Sequence, residues 1–324
     1  MNLNDLVEFR EEQEIEKIAK KTVELLRNNL HKRGLIVAVS GGVDSAVCAA
    51  LAASAVGKKK VYCILLPEHD SSSASVELGK SVVENIGLEY EIQNIGKTLE
   101  EIGCYSWRDK AIKNVFPEYD GTWKNKIIIK GGSEGKLNHF SLVVEKPGGE
   151  IVEERLSLND YLQIVAATNY KQRIRKNIEY FHADRLNYAV VGTPNRLEYD
   201  QGFFVKNGDG AADIKPIAHL YKTQVYALAS YFGLPESVCN AAPTTDTYSL
   251  TQGQDEFYFS LPYQQMDVAL WAYNNKLEPS KLAEYIGVSV ERAEYVYKDI
   301  EAKRRATVYQ HLKPQLIDEI FNQA

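Results

Sequence analysis

A loop of glycine and small polar residues, placed between an apolar run and an alanine-rich run, constrains this chain more than any other feature. The loop has the sequence Ser-Gly-Gly-Val-Asp-Ser at residues 40–45; residues 35–39 before it are all apolar, and residues 46–53 after it are typical of a buried helix. Adjacent glycines let backbone N–H groups point inward, and a helix N-terminus carries about half a positive charge. The sequence therefore predicts a strand, an anion-binding loop and a helix.

Two common glycine-rich nucleotide loops do not fit these residues. Neither GxGxxG nor GxxxxGK[ST] can be aligned with residues 40–45. An ordinary capped turn between a strand and a helix would use the same residue types. Because polar side chains and two glycines converge directly after a buried-type strand, where open α/β sheets bind ligands, we interpret the loop as a phosphate site.

Apolar and amphipathic segments alternate along the chain. The pattern predicts strands at residues 35–39, 60–67, 90–95 and 187–192. It predicts helices at residues 12–30, 73–86, 221–232, 254–274 and 279–303. Because strands that alternate with helices form right-handed βαβ units, we expect an α/β fold with an open, mainly parallel sheet and helices on both faces.

Residues 105–157 interrupt this alternation. Two apolar runs around a Gly-Gly-Ser-Glu-Gly-Lys turn at residues 131–136, followed by a second glycine turn, predict a β-rich insertion. The first turn is one position short of a phosphate loop, and Leu137 stands where a hydroxyl would be needed, so we interpret it as a hairpin turn. We expect a single α/β domain over residues 1–324, with a helical C-terminal segment at residues 277–324.

Composition and charge narrow the class of function. The 324 residues carry a formal net charge of -6, whereas a large nucleic-acid footprint normally needs a basic face, so we expect small-molecule substrates and no nucleic-acid partner. No apolar run is long enough to span a bilayer and the first residues lack a signal core, so we expect a cytoplasmic protein without a membrane partner. The four cysteines form no CxxC pair, which favours neither a disulfide framework nor a zinc site.

The Ser-Gly-Gly-x-Asp-Ser loop resembles the loop of ATP pyrophosphatases, which cleave ATP between its α and β phosphates to adenylylate an oxygen of the acceptor. The resemblance implies that Ser40, Gly41, Gly42 and Ser45 hold the departing pyrophosphate. It implies that Asp44 holds Mg²⁺.

A set of short motifs follows the loop in a fixed order. They are Asn-Tyr-Lys-Gln-Arg-Ile-Arg at 169–175, Gly-Thr-Pro-Asn-Arg-Leu-Glu at 192–198, Lys-Asn-Gly-Asp-Gly-Ala-Ala-Asp at 206–213, Lys-Thr at 222–223, Pro-Thr-Thr-Asp at 243–246 and Gln-Asp-Glu at 254–256. Together with the loop, they resemble the ammonia-dependent NAD synthetase family over about residues 12–96 and 165–305. The resemblance implies an adenine nucleotide hydrolase-like fold. It also implies amidation of deamido-NAD to NAD⁺ by ammonia and ATP, through an adenylylated nicotinate carboxylate, with release of AMP and pyrophosphate.

The resemblance assigns residues to the ATP half of the site. Asp44 and Glu198 are the oxygen ligands that we assign to Mg²⁺, with waters and phosphate oxygens completing an octahedron. Lys222, whose ordinary pKa of about 10.4 keeps it charged, would stabilise the departing pyrophosphate. Thr193 and Thr244 match the family's hydroxyl contacts to ATP.

Other matched residues belong to the ammonia and acceptor half. Asp209 matches the family's ammonia-site aspartate, where a carboxylate must desolvate ammonium and take a proton, and Thr244 lies at the matching pocket position. The residues matched to deamido-NAD contacts are Asn169, Arg173, Lys206, Asp213 and Lys303. Structural roles without a function are the alternatives. Asp209, which lies in an Asn-Gly-Asp-Gly sequence, could simply form a turn, and the single charged residues could lie on a solvated surface.

Three departures from the family pattern leave the acceptor open. The insertion at residues 105–157 lies near the expected substrate and dimer partner, and Ala302 precedes Lys303 where the family usually carries histidine. No N-terminal cysteine nucleophile or glutaminase-sized extension is present in the sequence, so we expect free ammonia or a separate glutaminase as its source. The family resemblance implies a homodimer.

Two other functions remain open at this point. The first is a related ATP-dependent amide ligase that acts on a different carboxylate, with the insertion reshaping the acceptor pocket. The second is a nucleotide-binding regulator without catalysis, against which the metal-ligand candidates and Lys222 argue. Transfer RNA thiolation by an ATP pyrophosphatase is less well supported, because the chain lacks a CxxC pair and a basic balance.

Overall fold

The computed structural model describes residues 3, 6–130, 139–241, 248–250, 253, 258–259 and 261–318. The described helices are α1 (Glu11–Glu24), α2 (Val43–Val56), α3 (Ser73–Ile86), α4 (Gly96–Glu101), α5 (Cys104–Val115), α6 (Leu158–Leu186), α7 (Arg196–Gln201), α8 (Lys222–Tyr231), α9 (Glu236–Cys239), α10 (Tyr263–Asn274), α11 (Pro279–Ile286) and α12 (Val290–His311). The described strands are β1 (Leu35–Ala38), β2 (Val61–Leu65), β3 (Tyr90–Ile92), β4 (Lys124–Lys130), β5 (His139–Glu145), β6 (Ile151–Arg155) and β7 (Ala189–Val190).

The central sheet is parallel, as the alternation of strands and helices predicts. Its strand order is β3-β2-β1-β7, and each neighbouring pair is parallel. The chain leaves β1 towards β2 on one side and returns to β7 on the other, so the strand order reverses at β1. In such sheets a crevice opens at the carboxyl ends of the strands at this reversal, and the 40–45 loop follows β1 there.

Helices cover both faces of this sheet, so the predicted fold class is confirmed. Leu35 and Val37 of β1 belong to a buried cluster that also contains residues of α1, α2 and α8. Ile36, between them, belongs to a second cluster with residues of α4, α5 and α6. All three side chains are buried because a parallel strand between two helical layers has no solvent-facing side.

The β-rich segment forms a separate antiparallel sheet in the order β4-β5-β6. Ile127 of β4 pairs with Leu142 of β5, and both pack against buried residues of α5 and α6. The first residues of the predicted insertion were expected to be strand-rich, but residues 104–115 form helix α5. The predicted hairpin turn at residues 131–136 lies outside the described residues.

Two helix predictions near the C-terminus were wrong in extent. Residues 254–274 were expected to form one helix. Residues 254–257 and 260 lie outside the described residues, and of the rest, 258–259 and 261–262 are not helical and α10 begins at Tyr263, because Pro262 has no N–H and disfavours helical backbone in the residue before it. Residues 279–303 were expected to form another, but Gly287 ends α11 in the left-handed region and Ser289 caps the start of α12.

Within the part of the chain that the structure describes, none of the helices is both long and apolar enough to cross a bilayer.

Candidate active site

The 40–45 loop is held in shape by hydrogen bonds between its own residues. The hydroxyl of Ser45 donates to the Gly42 carbonyl at 2.9 Å and accepts from the Ser40 amide at 3.2 Å. Gly41 has a φ of +88°, and a Cβ there would lie 2.6 Å from the Ser75 carbonyl oxygen, so only glycine fits. A Cβ at Gly42 would meet only the Ser40 hydroxyl, at 3.5 Å. Gly41 therefore shapes the loop, whereas Gly42 leaves space above it for a ligand.

Lys222 and Asp44 form a buried ion pair beside the loop. Asp44 lies in the first turn of α2, and Lys222 is the first residue of α8. The ammonium group of Lys222, 3% exposed, pairs with Oδ2 of Asp44. Burial by itself lowers the pKa of Lys222, but the carboxylates of Asp44 and Glu198 outweigh burial and raise the pKa above its ordinary value. Lys222 therefore carries a full positive charge at the loop.

A buried carboxylate from α10 holds the start of α8 in place. The backbone N–H groups of Lys222 and Thr223 donate to the two carboxylate oxygens of Asp267, at 3.2 and 2.7 Å. Asp267 thereby caps the helix from a different element and fixes the backbone that carries the Lys222 ammonium. Burial raises the pKa of Asp267 to about 7, although these amide donors favour its ionised form.

Asn195 draws the two predicted metal ligands together. Its Nδ2 donates to Oδ1 of Asp44 at 3.2 Å and to Oε2 of Glu198 at 2.9 Å. The same residue forms a capping box at the start of α7 with Glu198, which accepts from the Asn195 amide at 3.1 Å. Asn195 is not among the residues predicted from the sequence; the signal that could have indicated it is the Asn-x-x-Glu spacing of a capping box.

The donor set at this point fits Mg²⁺. Asp44 and Glu198 share one amide donor, so their oxygens converge, and Asp44 already pairs with a cation. Mg²⁺ in nucleotide enzymes takes one or two carboxylates and completes its octahedron with waters and phosphate oxygens. Across the described ranges, no group of three or more His, Cys, Asp or Glu residues clusters as a metal site would require. Two carboxylates are enough for a magnesium ion that takes its remaining ligands from the nucleotide's phosphates and from water.

One cavity of about 820 Å³ connects the loop with most of the predicted acceptor residues. The predicted site residues that line it are Ser40, Gly41, Gly42, Asp44, Ser45, Asn169, Arg173, Thr193, Glu198, Lys206, Asp209, Lys222 and Lys303. Thr244 lies outside the described residues. Asp213 is not among the described residues that line this cavity: its carboxylate accepts from the Val190 amide at 2.7 Å and so holds β7 in place.

Three predicted acceptor residues link the elements around this cavity. The guanidinium of Arg173 on α6 donates to the Lys206 carbonyl at 3.3 Å. The Lys206 ammonium donates to the Tyr309 carbonyl on α12 at 2.8 Å. The Lys303 ammonium on α12 donates to the Tyr258 carbonyl at 2.5 Å and pairs with Asp299 of the same helix at 2.6 Å. Burial lowers the pKa of Lys303, and Asp299 acts in the opposite direction. A ligand that spans this cavity would therefore contact cations from several elements.

Asp209 is a carboxylate within the same cavity. Its Oδ1 accepts from the Val205 amide at 2.8 Å, which closes the turn predicted from the Asn-Gly-Asp-Gly sequence. Burial raises the pKa of Asp209, whereas the Val205 amide and the nearby Lys176 favour the ionised form. Turn formation uses one oxygen of Asp209, and the side chain still lines the cavity.

Many of the residues that line the cavity were not predicted from the sequence, and four of them illustrate why. Lys176 and Glu179 continue the face of α6 that carries Asn169 and Arg173, and helical spacing could have indicated them. Ile129 and Phe140 come from the antiparallel sheet. Their approach to the cavity depends on how that sheet packs against α5 and α6, and no local pattern encodes that packing.

Comparison with known proteins adds an independent finding. The family model described as NAD synthase matches residues 14–114 and 144–307 and leaves residues 115–143 unmatched. The NH3-dependent NAD⁺ synthetase of Rhizobium meliloti (strain 1021) is 52% identical, over 98% of this chain and 95% of its own length. The protein of the same name from Thermotoga maritima is 36% identical, over 84% of this chain and 90% of its own length.

Solved structures are similar in fold. The NMN synthetase of Francisella tularensis has a TM-score of 0.65 at 19% identity and covers 97% of this chain and 100% of its own. The NH3-dependent NAD synthetase of Campylobacter jejuni has a TM-score of 0.62 at 22% identity, with 96% and 100% covered. At this level of identity the likeness concerns the architecture alone.

Proposed function

The chain belongs to the NAD synthase family, and we propose that it amidates deamido-NAD to NAD⁺ with ammonia and ATP, as an AMP-forming carbon-nitrogen ligase. The observation that carries this proposal is one cavity lined by the anion loop, the Asp44 and Lys222 pair, Asp209 and Arg173. Such a cavity suits a reaction in which a nucleotide and an acidic acceptor must meet.

In the first half-reaction the nicotinate carboxylate attacks the α-phosphorus of ATP, and pyrophosphate leaves. A carboxylate is a poor electrophile until it is adenylylated, and the leaving group carries several negative charges. We assign the loop residues and the charged Lys222 to stabilise that charge; the buried, positively charged ammonium of Lys222 beside the loop supports this assignment. We assign Mg²⁺ to Asp44 and Glu198; when bound, it neutralises phosphate charge.

In the second half-reaction ammonia attacks the adenylylated carbonyl carbon, and AMP leaves. Ammonia in water is mostly ammonium at neutral pH and has no lone pair for attack in that form. We assign Asp209 as the carboxylate that binds ammonium and takes its proton. Arg173, Lys206 and Lys303 would hold the acceptor near this point.

The homodimer, the ammonia source and the location are further parts of the proposal. Exposed apolar side chains lie along α6, including Leu162 and Phe181, and a second copy of the chain would cover them. We propose free ammonia or a separate glutaminase as the source. All four cysteines are free, and we propose a cytoplasmic enzyme, since thiols stay reduced there.

The test is an assay with Mg-ATP, ammonium and deamido-NAD that follows NAD⁺, AMP and pyrophosphate together. Equal yields of the three products are expected. No NAD⁺ under conditions where a known NAD synthetase works would refute the proposal. AMP formed only with another acid would indicate an amide ligase with a different acceptor, for which the approach of Phe140 to the cavity is the supporting observation.

A second experiment tests the metal ligands. Asp44→Asn and Glu198→Gln should each raise the Mg²⁺ concentration needed for half-maximal activity, because each removes a charged oxygen ligand. An unchanged Mg²⁺ titration for either variant would exclude that residue as a ligand.

A further inference from the structure

The turn that carries Asp209 keeps its shape through hydrogen bonds to one residue. The backbone N–H groups of Gly208 and Gly210 donate to the Val205 carbonyl at 2.9 and 3.1 Å, and the Val205 amide donates to Oδ1 of Asp209 at 2.8 Å. These bonds join atoms within the turn, so they fix its shape but not its orientation in the cavity. A general base works only within hydrogen-bond reach of the proton that it takes, so contacts from outside the turn matter.

Two cationic side chains bind the turn from outside, one on each side of Asp209. Arg173 of α6, which itself lines the cavity, donates to the Lys206 carbonyl at 3.3 Å. Lys215 donates from its Nζ to the Gly210 carbonyl at 2.6 Å. The shorter of the two bonds therefore reaches the residue directly after Asp209, and it comes from a lysine to which the proposed chemistry gives no role.

The central sheet holds the stem of Lys215. Ile214, the residue before it, forms a parallel bridge with Val191 directly after β7 and accepts from the Gly192 amide at 2.8 Å. A Cβ at Gly192 would lie 3.0 Å from Cγ of Lys215, so the stem packs against the backbone at the end of that strand. Lys215 thus connects a fixed edge of the sheet to the turn.

Aromatic rings hold the other end of the same side chain. The Nζ of Lys215 lies 4.7 Å from the ring centroid of Tyr199 and 5.5 Å from that of Phe204, and His311 of α12 meets both rings edge-on. An ammonium group over aromatic faces is attracted by them without a carboxylate partner. A Cβ at Gly210 would lie 2.4 Å from the Phe204 ring, so ring, lysine and turn are in close contact.

We propose that Lys215 is a positioning residue that holds the Asp209 carboxylate in the cavity for the second half-reaction. Lys215 is not among the described residues that line the cavity, whereas Asp209 is, so Lys215 acts through the turn and does not touch the substrate. The inference rests on the proposed function, because it requires that Asp209 meets ammonium. In that step one N–H bond of ammonium breaks and its proton passes to Asp209, while the freed lone pair forms the C–N bond and the C–O bond to AMP breaks.

Lys215→Met tests the proposal, since it keeps the length of the stem and removes the donor. With Mg-ATP and deamido-NAD saturating, kcat/KM for ammonium should fall about tenfold or more, because a displacement of about 1 Å can cost up to about a hundredfold. Exchange of labelled pyrophosphate into ATP, which needs deamido-NAD but no ammonium, should stay within about twofold of the parent rate. Lys215→Arg keeps a cationic donor and should recover most of the loss.

A double-mutant cycle separates positioning from general damage. Asp209→Asn keeps an oxygen for the Val205 amide and removes the base, and adding Lys215→Met to it should change kcat/KM for ammonium by no more than about twofold. Lys281→Met, which removes an exposed lysine paired with Glu284 on α11, is the matched control and should behave as the parent. If Lys215→Met fails to fold, Tyr199→Leu decides: it removes one ring beside the ammonium and should lower the same parameter about threefold.

Three outcomes would overturn the inference while the parent enzyme still makes NAD⁺. They are an unchanged kcat/KM for ammonium in Lys215→Met, or in Tyr199→Leu where that variant decides, an equal loss of pyrophosphate exchange, and a loss of the same size in the Asp209→Asn background. A parent enzyme that forms no NAD⁺ refutes the proposed function, and the inference falls with it.

Discussion

Among single side chains, Lys222 has a larger expected role than a residue that only binds ATP. Its ammonium pairs with Asp44, and in the proposed reaction it meets the leaving pyrophosphate. Lys222→Ala should lower kcat about a hundredfold, since a transition-state contact to charge is worth about 3 kcal/mol. Thr193→Ala, which removes one neutral hydroxyl from the same cavity, should cost about 1 kcal/mol. Steady-state kinetics with deamido-NAD measure both, and equal effects would contradict the role of Lys222.

The two loop glycines should respond differently to the same substitution. Gly41→Ala should lower the free energy of unfolding by about 1 kcal/mol or more. An alanine there would adopt a strained left-handed backbone, and its Cβ would also meet the Ser75 carbonyl. Gly42→Ala should leave stability within about 0.5 kcal/mol but weaken ATP binding, because only the ligand's space is lost. Urea unfolding and ATP titration check the pair. Normal ATP binding by Gly42→Ala would contradict the anion-site interpretation.

The anion-site prediction for the loop rests on local sequence alone, and it stays a prediction. Residues 40–45 are consecutive, and glycines with hydroxyls after an apolar strand suffice to indicate an anion site. The partners of Asp44 could not be derived from spacing: Asn195 and Lys222 lie 151 and 178 positions away along the chain. Glu198 and Lys222 came from the family resemblance, and Asn195 was missed.

Among the helices and strands, the burial of Asp267 between α10 and the start of α8 gives a pH-dependent contribution to stability. The pKa of Asp267 is about 7 in the folded protein and about 3.9 in an unfolded chain. Between these values the folded state binds the proton more tightly, so this group's contribution to stability falls as the pH rises from about 4 to about 7.

Asp267→Asn should remove this dependence. The stability of the parent relative to the variant should decrease between pH 5 and pH 8, by on the order of 2 kcal/mol, as measured by urea unfolding at both values. Glu12→Gln, on the exposed side of α1, removes a carboxylate elsewhere and should show no such change. A relative stability that instead grows with pH would contradict a carboxyl group kept neutral by burial.

The antiparallel sheet should affect the acceptor and not ATP. Phe140 of β5 stacks on Tyr161 of α6 with ring centroids 3.6 Å apart, and Tyr161 lies eight residues before Asn169, about 12 Å along the helix. Phe140→Ala should raise KM for deamido-NAD about fivefold, the loss of about 1 kcal/mol of aromatic contact. Ile151→Ala, on the exposed strand β6, is the control. If Phe140→Ala raised the KM for ATP instead, the Phe140 ring would lie at the ATP site and not at the deamido-NAD site.

Helices and strands with a strong apolar periodicity could be predicted from the sequence. Their ends were harder to predict, because each end depends on a single residue. Helix α3 has the predicted bounds, residues 73–86. The ends of the two helices near the C-terminus were predicted incorrectly because apolar spacing continues through Pro262 and Gly287. At these two residues the backbone conformation determines where a helix begins or ends. Helix α5 was missed because the turn-rich residues after it dominated the interpretation of that region.

Across the entire chain, the fold class followed from the alternation of strands and helices, whereas the cavity did not. The cavity joins the end of β1, one face of α6, the turn at Asp209 and the helix α12. These segments meet only through the packing of both sheet faces and of the C-terminal helices. Asp209 and Asp213 show the same limit of sequence reasoning. They are four residues apart, but Asp209 lines the cavity, whereas Asp213 binds the Val190 amide instead.

The proposed dimer gives a prediction for the complete protein. Light scattering during size-exclusion chromatography should give twice the mass of one chain. Phe181→Glu, at a residue of α6 that is 63% exposed in the single chain, should shift the mass towards one chain, because a buried unpaired charge would weaken an apolar interface. An unchanged dimer would place the interface elsewhere, and a monomeric parent would refute the dimer.

The bonds from Asp267 to the start of α8 have a consequence for how such enzymes diverge. The lysine at the loop depends on a carboxylate that comes from the C-terminal helices, and Lys303 on those same helices lines the same cavity. A hybrid that joined the sheet of one family member to the C-terminal helices of another would separate Asp267 from the backbone amides that it holds. We therefore expect the two parts to be inherited as one unit.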